Sequence, residues 1–152
     1  MKRYKQGIEF IDFVKKFHRT LHEFYTKLEN EAEKEKVKMV LGYLSEREQH
    51  MEETIESVSD SISKKVEDTW FSFCDENEAH ECLNSIKLNA EISIEQIMGT
   101  VIRLDECLIN LFNKLEKFSE SEEVKAVFQN LAELESREMK RVILNFQRMD
   151  DL

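Results

Sequence analysis

The chain has 152 residues, with 22 Lys and Arg against 32 Asp and Glu, and a formal net charge of −10. That is the size of one ordinary domain, able to bury a core without disulfide or metal staples, and its acidity argues against a nucleic-acid surface, a polybasic membrane contact or acidic substrates. No Pro and 3 Gly, beside 36% charged and 41% hydrophobic residues, supply too few turn residues for a sandwich or a doubly wound sheet, so long helices are expected.

Apolar residues recur at alternating steps of three and four, the period of one helix face. The first such segment runs from about Tyr4 to Asn30, with the stripe Ile11, Val14, His18, Leu21, Tyr25 and Leu28. The second, from Glu31 to Ser59, carries Val37, Leu41, Leu44, Glu48, Met51, Ile55 and Val58. From Asp60 to Ile92 lies a connection of about 30 residues, enough to travel back along a helical bundle. It contains an aromatic patch, Trp70, Phe71 and Phe73, and a short helix expected over Asn77 to Ile86. The third long helix is expected from Ser93 to Phe118, with Ile94, Met98, Val101, Asp105, Leu108, Phe112 and Leu115. A capping signal at Ser119 to Glu122 opens the fourth, which runs to Arg148 with Val124, Phe128, Leu131, Glu135, Glu138 and Val142. Short turns near residues 30–33 and 119–121 make antiparallel neighbours of the first two helices and of the last two. The expectation is one all-α domain, 1–152: a helical hairpin over 4–59, a crossover over 60–92 and a second hairpin over 93–148.

An internal repeat joins the hairpins. An offset of 87 positions carries Val14 onto Val101, Leu21 onto Leu108, Leu28 onto Leu115, Val37 onto Val124, Leu44 onto Leu131 and Ile55 onto Val142. The polar exceptions coincide as well: His18 falls on Asp105, Glu48 on Glu135 and Met51 on Glu138. Ionised groups on an apolar stripe are costly unless paired, hydrogen-bonded or bound to a metal. Counted from the first turn, His18 and Glu48 lie about 22 Å down their helices and should face each other at mid-bundle. The same arithmetic sets Asp105 level with Glu135, and Glu138 one turn further on.

This pattern resembles the ferritin-like superfamily, closest to rubrerythrin-type domains, over nearly the whole chain. The resemblance implies a ferritin-like four-helix bundle of two pseudo-symmetric hairpins, with a long crossover between helices two and three. It also implies two iron or manganese ions held by a Glu and a Glu-x-x-His from each half. The bridging-carboxylate positions fall on Glu48 and Glu135, the terminal positions on His18 and Asp105, and the two histidine positions on Met51 and Glu138. Tyr25 and Phe112 occupy the aromatic position seven residues after the first ligand. Met51 is a soft thioether, poorly suited to ferrous iron. The Asp105, Glu135 and Glu138 half, which Glu48 can join, keeps the hard oxygen donors that suit iron or manganese. No Cys-x-x-Cys pair is present for a rubredoxin-like module, so an electron donor would be another protein.

Other residues carry weaker signals. His50, beside Glu46 and Glu53, reads as surface ion pairing; His22, one turn after His18, reads as a second metal ligand or a helix flank. Cys74, His80 and Cys82 match no standard zinc spacing, and 4 His are too few for the five-histidine set of a hemerythrin. Three Cys, an odd number, make a disulfide framework an unexpected feature. Met1 to Phe10 lacks a continuous apolar run, and no stretch of 18 apolar residues occurs, so a cytoplasmic protein with no membrane or nucleic-acid partner is expected. A second apolar row on helix one, Phe10, Phe13, Phe17 and Phe24, calls for cover by the crossover or by a second subunit, and a homodimer through helix one is the expectation that accords with the resemblance. Two functions stay open. One is metal binding in iron, oxygen or peroxide handling through His18, Glu48, Met51, Asp105, Glu135 and Glu138, with no catalytic residue singled out. The other is a non-catalytic structural or interaction protein in which the carboxyl groups and His18 hydrogen-bond each other across a metal-free core.

Overall fold

The structure, a computed structural model, describes residues 5–72, 76–89 and 91–151. Tyr4, Phe73 and Cys74 lie outside the described residues. In chain order the elements are a two-residue strand β1 (Lys5–Gln6), α1 (Gly7–Glu31), α2 (Glu35–Ser61), α3 (Lys64–Asp68), a two-residue strand β2 (Trp70–Phe71), α4 (Asn77–Asn84), α5 (Ile94–Lys117) and α6 (Glu122–Asp150). The fold is all-α: four long helices pair as α1 with α2 and α5 with α6, and residues 62–93 join the pairs.

Each long helix buries the stripe its sequence carries. Ile11, Val14, Leu21, Tyr25, Leu41, Leu44, Ile55, Val101, Leu108, Phe112, Leu115, Val124, Phe128 and Val142 share one continuous core, each fully buried aliphatic or aromatic side chain contributing about 1.5–3 kcal/mol of transfer free energy. The first turn is formed by residues 32–34, so α1 continues through Glu31 and α2 opens later than periodicity indicated. Ser93 caps α5 as expected, accepting from Gln96 N at 3.2 Å while the Gln96 side chain accepts from Ser93 N at 3.0 Å. At α6 the capping signal marks the start but Ser121 makes no side-chain cap; the Ser119 hydroxyl instead donates back to Leu115 O at 2.5 Å.

The connection between the hairpins is packed onto the bundle. β2 pairs antiparallel with β1, Lys5 opposite Phe71 and Gln6 opposite Trp70. Gly7 N donates to Thr69 O at 2.8 Å. A Cβ at Gly7 would stand 2.1 Å from Val66 O, so α1 and α3 approach at a distance only glycine permits. The second aromatic row of α1 is covered largely from here: Phe10 meets Phe71 edge-on at 5.6 Å, and Phe13 lies against Phe17 and His80 of α4. Cys82 of α4 is disulfide-bonded to Cys107 of α5, which corrects the expectation that the cysteines stay unpaired. Among the described residues no helix is long and apolar enough to cross a membrane.

Candidate functional site

At mid-height the four long helices each place a polar side chain on the inward face of an otherwise apolar stripe. His18 of α1 points between α2 and α6: its Nδ1 lies 2.5 Å from Glu48 Oε2 and its Nε2 lies 2.7 Å from Glu135 Oε1. Arg47, the residue before Glu48, donates from Nη1 to Glu48 Oε1 at 3.2 Å and from Nη2 to Asp105 Oδ2 of α5 at 2.6 Å. The chain Glu135, His18, Glu48, Arg47, Asp105 therefore runs through all four helices, and each of these side chains is at most 3% exposed.

Two carboxylate oxygens facing the two ring nitrogens fix the charge state of His18. Each contact needs a hydrogen between nitrogen and oxygen, and the ring supplies both only as imidazolium. Burial alone would push the imidazole down; the Glu135 and Glu48 carboxylates outweigh it and raise its pKa to about 10. Burial likewise opposes the charge on Arg47, and Asp105 and Glu48 overcome it, so the guanidinium pKa is raised further and the group stays charged. Three carboxyl groups then face two cations, leaving one surplus negative charge. Asp105 absorbs it: burial raises its pKa, Arg47 pulls it back, and the Glu135 and Glu48 charges lift it again, to about 7.

Three polar atoms in this region lack a hydrogen-bond partner among the described residues: Glu135 Oε2, Arg47 Nε and the Tyr25 hydroxyl. Tyr25 is fully buried, and burial followed by the charges of Glu48 and Asp105 holds its phenol well above its ordinary range.

The structure thus brings together His18, Glu48, Asp105 and Glu135. Met51 is buried at 1% exposure one turn beyond Glu48. Glu138 is buried at 8% exposure, and its carboxylate pairs with the exposed Arg141 at 3.2 Å. His22 hydrogen-bonds through Nδ1 to Ser45 O at 2.8 Å, an α1 to α2 contact separate from the bonds of His18. His50 and His80 are exposed, and Cys82 is committed to its disulfide.

Arg47 is the participant that the stripes missed. It lies three residues after Leu44 and four before Met51, a helical step equivalent to that of Glu48, and the repeat offset sets it opposite the apolar Leu134. That mismatch was the available signal.

The donor set fits a di-metal centre poorly. An imidazolium has no lone pair to give, Arg47 occupies oxygens of Glu48 and Asp105, and Met51 offers only a thioether. Among the described residues no group of three or more His, Cys, Asp or Glu is arranged to hold a metal ion. Comparison of the chain with protein families, curated proteins and solved structures finds no match.

Proposed function

We propose that this chain is a metal-free member of the ferritin-like superfamily, of rubrerythrin-type ancestry, in which two internal cations take the place of two metal ions. Its role on this reading is non-catalytic: a structural or protein-interaction bundle. The observation that carries it is the His18 ring held between Glu48 and Glu135. These are the carboxylates that the resemblance casts as metal bridges, and a protonated imidazole between them supplies the positive charge that a divalent ion would otherwise bring. The helical hairpins, the 87-residue repeat and the long connection between α2 and α5 support the ancestry.

A second reading, iron or manganese binding in iron, oxygen or peroxide handling, is favoured by one feature. Glu135 Oε2 is buried without a partner among the described residues, as an unused metal-facing oxygen would be. It requires His18 to release a proton and Arg47 to withdraw. Anaerobic loading with ferrous or manganous ion, followed by desalting and metal analysis, separates the readings. We expect substoichiometric metal that the Glu135→Gln substitution leaves unchanged. One or two retained equivalents that this substitution removes would establish the metal reading instead.

The same proposal places the protein in the cytoplasm, where the Cys82–Cys107 disulfide would be an exception to the reduced state usual for thiols. A homodimer through α1 belongs to it by resemblance. The aromatic row that suggested the dimer is met largely within the chain by β2 and α4, so the dimer now rests on the resemblance alone.

A further inference from the structure

We propose that a cavity between the α4–α5 connection and the first half of α5 binds a small organic anion: a carboxylate carrying a short aliphatic chain. The cavity has a volume of about 480 Å³, and its charged wall consists of Lys87 from the connection and Arg103 from α5. Neither side chain has an ion-pair or hydrogen-bond partner among the described residues. Both are solvent-exposed, so a ligand reaches them without displacing an internal partner. Other surface cavities of the molecule include carboxylates in their walls, Glu116 and Glu133 in one, Glu123 in a second and Glu120 in a third; this one has none.

The chemistry of the wall specifies the ligand. Arg103 offers a planar fork of donors suited to a carboxylate, and Lys87 adds a second positive charge. Gln96, also in the wall, spends its side-chain oxygen on Ser93 N and Ser93 Oγ, at 3.0 and 3.2 Å, which leaves its amide NH2 free of that capping bond. Leu88 and Ile92 add an apolar surface that a bare inorganic ion would leave wet and an aliphatic chain would cover. The two walls belong to different segments, and the Cys82–Cys107 disulfide fixes one to the other, with Cys107 one turn beyond Arg103 on α5. A wall held in place before binding loses less freedom when the ligand arrives.

Gly99 lines the cavity, and a Cβ built there meets nothing within 4 Å. Gly99→Leu therefore adds bulk to open space, and in mid-helix Leu is a better helix former than Gly by somewhat under about 1 kcal/mol. The variant fills the site without touching its charges or endangering the fold. The test is a titration of the isotope-labelled full chain with hexanoate, followed by amide chemical shifts, with inorganic phosphate and hexan-1-ol as comparison probes. We expect saturable shifts at Gly99, Thr100 and Arg103 with hexanoate, and at least tenfold weaker binding of phosphate and of hexanol. We also expect at least tenfold weakening in Lys87→Gln/Arg103→Gln, and loss of the shifts in Gly99→Leu. The proposal is overturned by an absence of saturable shifts at these residues. It is equally overturned by hexanol or phosphate binding as tightly as hexanoate, or by shifts that persist in both variants. None of these outcomes depends on whether metal enters the centre of the bundle.

Discussion

Helices α1 and α2 bring both cations of the central network, His18 and Arg47, together with one carboxylate, Glu48. Helices α5 and α6 bring two carboxylates, Asp105 and Glu135. At positions 87 apart the halves thus differ in opposite directions: His18 against Asp105, Arg47 against Leu134, Met51 against Glu138. Two hairpins with identical charge would repel across a dry interface unless an outside cation joined them. Hairpins of complementary charge join directly, and the bonds from His18 to Glu135 and from Arg47 to Asp105 cross from one half to the other.

The harshest way to break this complementarity is Arg47→Leu, which gives the first hairpin the residue that the second carries at the same repeat position. It strands Asp105 and half of Glu48 in a water-poor core, and removing one partner of a buried pair costs about 3–5 kcal/mol. Chemical denaturation should show a loss of that size, partly recovered in Arg47→Leu/Asp105→Asn, where the stranded charge is gone. Equal stability of Arg47→Leu and the parent would mean that the guanidinium contributes nothing to joining the halves.

A comparison at one repeat position sharpens the point. The Met51 side chain is fully buried, whereas Glu138, 8% exposed, pairs with an Arg141 side chain that is 66% exposed. Met51→Ala should cost about 2–5 kcal/mol, as large-to-small core changes do, and Glu138→Gln about 1 kcal/mol or less, because its ion-pair partner is open to solvent and the amide keeps the side chain's shape. Thermal melts of the two variants side by side give the ratio, and a Glu138→Gln loss as large as that of Met51→Ala would place Glu138 in the network after all.

A change of pH probes the same network without any substitution. His18 has its pKa raised from 6.5 to about 10, so its stabilisation is complete below about pH 6.5 and is lost as pH rises through about 10. Asp105 is raised from 3.8 to about 7, so it too favours the folded state at low pH and loses that contribution as pH rises from about 4 through 7. Both slopes have the same sign. Stability should fall as pH rises from about 4 to about 10, by up to about 1.4 kcal/mol per pH unit for each proton that the folded state holds in excess. Urea midpoints across that range check it, and a flat profile between pH 7 and 10 would show that His18 is not the protonated bridge.

Much of the fold was legible because burial on a helix leaves a period in the sequence. The stripes from Ile11 to Leu28 and from Val101 to Leu115 mark the buried faces of α1 and α5, and the repeat singled out His18, Glu48, Asp105 and Glu135. Arg47 was passed over because a long cation beside an apolar stripe ordinarily extends its charge to water; only the three-dimensional position of Asp105 explains why this one turns inward. The disulfide was illegible for a related reason. Cys82 and Cys107 meet only once α4 docks on α5, and the contacts between these helices, Lys114 with Glu78 among them, carry no periodic signature. The β1–β2 pair is two residues long on each side, too short for alternation to show.

The central network also dictates an order of events. Each hairpin is built from contacts between residues near one another in the chain, so its entropy of closure is small and it can form early. The bond from His18 to Glu135 spans 117 residues and the one from Arg47 to Asp105 spans 58. Neither can form before the two hairpins have met face to face. The charges that hold the halves together are therefore among the last contacts made and act chiefly on the rate at which the bundle opens, much as a latch governs a closed lid while doing nothing to swing it shut.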